Sequence, residues 1–147
     1  MGILAFWISW PALWIYLHRG ERTRLLLVCN GEFLVLKSWL RAGRRWNLPG
    51  GGLHDGEQPD AGLMREVREE TGITLSKQQI TQMYKSEYKE SGLRFTYNCF
   101  VCELPQKPKV IPQKGEITDY AWQPVDAVTL PLSNDAQTAI DWWLNKG

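Results

Sequence analysis

Residues 51–73 read GGLHDGEQPDAGLMREVREETGI. The stretch joins a glycine turn, a lone carboxylate at Glu57, and a helix-forming run that carries Arg65, Glu66, Glu69 and Glu70 and ends at Gly72. Pro59 suits the first helical position, and Gly72 suits a left-handed cap. Glu66, Glu69 and Glu70 are spaced i, i+3, i+4 and therefore share a helix face. Leu63 and Val67 lie beside that face and give the helix an apolar stripe to bury. Three like charges on one face repel each other, and a bound cation would relieve the repulsion. Hard carboxylate oxygens favour Mg2+, with Mn2+ as a substitute. Glu57 precedes the helix, so the turn must fold back to bring it near, and Gly50, Gly51, Gly52 and Gly56 permit that.

The spacing is a glycine, five residues, a glutamate, seven residues, Arg-Glu, an aliphatic, one residue, Glu-Glu, one residue, a glycine and an aliphatic. Gly51, Glu57, Arg65, Glu66, Val67, Glu69, Glu70, Gly72 and Ile73 fill it. Seven positions demand one residue type. At ~7% for each type, chance supplies roughly one match in a hundred million windows. An ion-paired surface helix accounts for the composition but leaves Gly51 and Glu57 unexplained. The chain thus resembles the Nudix hydrolases, which cleave a nucleoside diphosphate linked to another group.

The resemblance implies an α/β fold, the Nudix α/β/α sandwich with a mixed β-sheet between helices. It implies divalent-metal-dependent hydrolysis of a phosphoanhydride, in effect a nucleotide pyrophosphohydrolase. Glu69 and Glu70 are the first expected ligands, Glu57 the next, and the Gly50 carbonyl a backbone ligand implied by the family. Glu66 joins the metal set and is the expected base, or it orients the water. Arg65 is expected to steer a motif carboxylate through a forked contact. Glu116 stands six residues before Trp122 in GEITDYAW. Many Nudix proteins carry a glutamate in a loop before such a strand, as an extra ligand or as the base; a plain exposed carboxylate is the other reading. His54 stands where the family often has glutamate, and is expected to face solvent. Longer signatures of the ADP-ribose, coenzyme A and NADH branches are absent. Tyr88 follows Gly72 by sixteen residues, near a tyrosine of the dinucleoside-polyphosphate hydrolases.

The chain has 147 residues and a formal charge of +1, which suits one domain and gives no global field to select nucleic acid. Cys29, Cys99 and Cys102 fit reduced, buried thiols of a cytoplasmic protein. Cys99 and Cys102 should point to opposite faces of a strand.

Residues 1–17 read MGILAFWISWPALWIYL, and His18, Arg19, Arg22 and Arg24 follow. As a helix the run would span about 25 Å, short of a ~30 Å hydrocarbon core. Trp7, Trp10 and Trp14 recur at helical spacing beside a basic flank, which suits an interfacial anchor at the cytoplasmic face of a membrane. The competing reading packs the run into the core or against a second copy in a homodimer. The expected division is residues 1–12 as an apolar segment and 13–147 as the Nudix domain.

Elsewhere, runs 24–29 and 33–36 form a hairpin across Asn30-Gly31. Residues 37–47 read as a loop in which Arg41, Arg44 and Arg45 reach substrate phosphate and Trp39 or Trp46 stacks on a base, or as a solvated basic loop. Runs 80–88 and 94–104 form a second hairpin, 105–115 a proline-bearing loop, 120–124 a short strand, and 135–145 a closing helix. Ala139, Ile140, Trp143 and Leu144 are expected to face inward, and Ser133 or Asn134 to cap. Two other functions remain open: a nucleotide-binding module without chemistry, and a membrane-surface protein acting on a lipid-linked or envelope-precursor nucleotide.

Overall fold

The computed structural model describes residues 20–39, 45–90 and 93–146, side chains at 88–90 and 93 excepted. Residues 1–12, and with them the anchor reading, lie outside the described residues, as do Arg41 and Arg44.

The elements follow the order β1 (Glu21–Cys29), β2 (Glu32–Ser38), α1 (Pro59–Thr71), β3 (Thr81–Glu90), β4 (Leu93–Leu104), β5 (Ile117–Pro124) and α2 (Asn134–Asn145). The strands make one sheet in the order β3-β4-β1-β2-β5. β1 runs parallel to β4, and the other pairs are antiparallel. Asn30 and Gly31 both take positive φ, 51° and 76°, the requirement of the tight turn that joins β1 to β2.

β1 is apolar from Leu25 to Cys29 without alternation, because both of its faces are covered. Leu25 and Leu27 join Leu34, Leu36, Phe100 and Cys102 under Leu63 and Val67 of α1. Leu26 and Val28 join Phe33, Val35, Cys99 and Val101 under Ala136, Ala139 and Ile140 of α2. Cys99 and Cys102 therefore do fall on opposite faces, and all three thiols are free and buried. Ser133 caps α2 by accepting the Ala136 N–H. Leu144 is 50% exposed, against expectation, because it sits at the margin of the helix stripe formed by Ala136, Ala139, Ile140 and Trp143. β5 begins three residues earlier than its aromatic run, since pairing with β2 extends to Ser38↔Ile117. No helix among the described residues is long and apolar enough to cross a membrane.

Candidate active site

β1 and β2 pair only at Val28↔Phe33 and Cys29↔Glu32, and then the sheet opens. The segment leading into the glycine turn fills the gap. Asn47 exchanges backbone hydrogen bonds with Leu36, the Leu25 N–H donates to Pro49, the Thr23 N–H to Gly51, and the Leu53 N–H to Glu21. This wedge fixes the glycine turn against β1. A Cβ on Gly50 would lie 2.1 Å from the Thr23 carbonyl oxygen, and Gly50 has φ +143°, so no side chain fits there. On Gly51 a Cβ would lie 2.6 Å from the Glu66 carboxyl carbon. Gly51 is thus the floor on which the Glu66 carboxylate rests.

α1 starts at Pro59, and Gly72 closes it in the left-handed conformation with its N–H on the Arg68 carbonyl. From the middle of the helix Arg65 makes five contacts. Nε and Nη2 fork onto the two oxygens of Glu57 at 2.8 and 2.9 Å, Nη2 also reaches the Gly52 carbonyl at 3.1 Å, and Nη1 reaches Glu66 at 3.0 Å and Glu69 at 3.3 Å. A guanidinium has five N–H donors, and each has a protein partner here. The Arg65 fork, joined by the His54 N–H, holds the Glu57 carboxyl down at about 2. Glu57 was expected among the metal ligands; its two oxygens face Arg65.

The remaining carboxylates behave in the opposite way. Glu70 is 9% exposed and accepts the Gly50 N–H at 2.8 Å. Burial pushes its carboxyl up to about 8 despite that bond, and the charges of Glu66 and Glu116 add to the rise. Burial also raises Glu66, outweighing Arg65, with Glu69 and Glu116 adding to it. Glu69 is the outlying member, half-exposed. Glu116 stands in the turn before β5, near enough for its charge to act on Glu66 and Glu70. Among the described residues, no three such side chains already surround one point as a metal cage. Their chemistry nonetheless fits a hard divalent cation: the donors are all carboxylate oxygens, and the raised acids mark a place short of positive charge.

A sequence model of the NUDIX domain matches residues 18–143. The chain belongs to the Nudix family. Nudix hydrolase 5 of Arabidopsis thaliana is 30% identical over 140 residues, which are 90% of this chain and 46% of that protein. The chain therefore spans under half the length of this curated relative. A MutT NUDIX hydrolase structure from Burkholderia pseudomallei superimposes with a TM-score of 0.71 at 22% identity, covering 83% of this chain and 95% of the other. The Escherichia coli dihydroneopterin triphosphate pyrophosphohydrolase gives 0.74 at 20%, covering 88% and 98%. These likenesses show the mixed sheet between helices to be the Nudix fold.

On the substrate side the Nudix domain places the expected residues unevenly. Trp46 is 8% exposed and fills the core under α2, because its backbone is bridged to Leu132. The Arg45 Nη1 donates to the Leu132 carbonyl at 2.9 Å. The Tyr88 side chain lies outside the described set. His54 is exposed, as expected. A cavity that sequence reasoning missed opens on the α2 side, lined by Arg24, Tyr84, Ser86, Tyr97, Cys99, Asp135 and Thr138. Arg24 Nε meets Asp135 at 2.6 Å, and its guanidinium lies 5.5 Å from the Tyr97 ring. The available signal was alternation: Arg24, Leu26 and Val28 are i, i+2, i+4, so Arg24 had to enter the α2 layer.

Proposed function

We propose that this chain hydrolyses a phosphoanhydride bond in a nucleoside diphosphate derivative, with Glu66, Glu70, Glu116 and the Gly50 carbonyl holding a divalent cation, Mg2+ or Mn2+. The observation that carries the reading is the buried Glu70, hydrogen-bonded to the glycine turn and within range of the Glu66 and Glu116 charges. When bound, the cation would polarise phosphoryl oxygens, ease ionisation of water and offset the leaving group's charge. Glu66 holds or accepts the proton of the attacking water from its seat on Gly51. Arg65 keeps Glu66 in that seat, and Glu57 keeps Arg65 oriented. In this reading Glu57 is an anchor for Arg65. Glu69, on the rim, adds negative charge within reach of a cation.

A panel of nucleotides and nucleotide sugars, assayed for phosphate and pyrophosphate release with Mg2+, with Mn2+ and in chelator, tests this. Turnover that needs the metal and drops by orders of magnitude in Glu70→Gln supports it. Full turnover in chelator, or none on any nucleotide, removes it. We also propose that residues 1–12 stand apart from this chemistry, since the family match begins at residue 18. Their deletion should leave turnover of free nucleotides within a few-fold. Insoluble or inactive protein would place them in the fold.

A further inference from the structure

Resting on the reading of Glu116 above, we infer that residues 111–113 are a strap that registers Glu116 against α1, with Ile111 and Gln113 as its positioning residues. The last carbonyls of a helix lack partners within the helix. Here Gly72 caps only the Arg68 carbonyl. The last two of the helix are taken from the loop between β4 and β5: the Ile111 N–H donates to Thr71 at 2.8 Å and the Gln113 N–H to Glu70 at 3.0 Å. Pro112 lies between these donors and has no N–H to leave unpaired.

Ile111 is 58% exposed, so burial in the core does not explain its place. Its Cβ lies 3.4 Å from where a side chain on Gly72 would begin, so the strap packs directly against the helix cap. From Gln113 the chain turns at once. The Gln113 carbonyl accepts the N–H of Glu116 at 3.4 Å and of Ile117 at 3.0 Å. A second tie runs from the Trp39 N–H to the Glu116 carbonyl at 3.3 Å. Glu70 therefore acts twice. Its carboxylate faces inward to Gly50, and its carbonyl holds the strap that delivers a second carboxylate. The connection between β4 and β5 has no other regular structure, so the strap sets how Glu116 meets α1 while the Trp39 bond and β5 hold its far side.

The strap acts through Glu116, which a double-mutant cycle can isolate. Gln113→Pro deletes the N–H to Glu70 and keeps the carbonyl. A misplaced catalytic group costs on the order of a hundredfold. We expect kcat to fall by about tenfold or more, the nucleotide KM to stay within about threefold, and Mn2+ titrated alone to bind more weakly by calorimetry. In a Glu116→Gln background the same change should cost under about twofold, because the group it positions is gone. Should Gln113→Pro fail to fold, Ile111→Gly is read in the same cycle. The inference is overturned if the folded variant keeps kcat and Mn2+ affinity, or if it costs the same factor in both backgrounds. Glu116→Gln that alone changes neither kcat nor Mn2+ binding overturns the reading of Glu116 and the strap together.

Discussion

Arg65 uses every N–H it has on protein acceptors, and this decides what it can do. It has no donor left for a substrate phosphate, so its role is to hold Glu57, Glu66 and Glu69 in relation to each other. Lysine keeps the charge but has three donors on one atom and cannot fork. Arg65→Lys should therefore lower kcat by about 10- to 100-fold, the cost typical of losing a group that orients a ligand. The nucleotide KM should change little; wild-type kcat in this variant would show that the fork is dispensable. Gly51 makes a sharper case. A methyl group there would stand 2.6 Å from the Glu66 carboxyl carbon, and the neighbouring backbone is fixed by the Thr23 N–H. Glu66 must then leave its seat. Gly51→Ala should lower kcat by about a hundredfold while the melting temperature moves far less. Equal activity with an intact fold would mean that Glu66 works from elsewhere.

At the scale of elements, α1 joins stability and the proposed chemistry on adjacent faces. Leu63 and Val67 are fully buried under the sheet, while Arg65 and Glu66 meet the glycine turn at Gly52 and Gly51. Leu63→Ala would open a cavity that the β1 and β2 leucines cannot fill, at a cost of about 2–5 kcal/mol. Denaturant unfolding measures this, and a loss under about 1 kcal/mol would mean that the layer repacks freely. The helix was legible because its signals are local: Pro59, the 3.6-residue period and Gly72. The Asn30-Gly31 hairpin was legible for the same reason. The wedge at 47–53 was not, since pairing between residues distant in the chain leaves no period in either partner. Trp46 was read as a loop residue for that reason, and Ile117 was missed as the start of β5. Glu116 was visible in sequence only by resemblance, whereas its strap is a tertiary feature with no sequence pattern of its own.

Among the described residues, one helix covers each face of the sheet, and the Thr23 and Arg24 backbone passes against the glycine turn between them. The buried carboxyl of Glu70 beside this turn couples stability to pH and, in the proposed reading, to metal. Folding buries Glu70, so the folded protein keeps its proton up to about pH 8, whereas the ordinary value is 4.5. Between those values the folded state binds more protons than the unfolded state, so stability must fall as pH rises through this window. Below 4.5 both states are protonated and Glu70 imposes no penalty; above about 8 the full penalty of a buried charge is present. Glu66 is raised as well and adds to the same slope. Glu57, held down at about 2, matters only in acid and leaves this window alone. Chelated protein should therefore melt at a lower temperature at pH 8.5 than at pH 5. Glu70→Gln carries no charge at either pH, so the slope should flatten and the variant should be the more stable protein at pH 8.5. A cation held by ionised carboxylates stabilises the folded state only where those carboxylates ionise. The rise in melting temperature with Mg2+ should thus grow from pH 5 to pH 8.5 in the wild type and shrink strongly in Glu70→Gln. Equal Mg2+ shifts in the two proteins across that range would detach the cation from α1 and with it the assignment of Glu70.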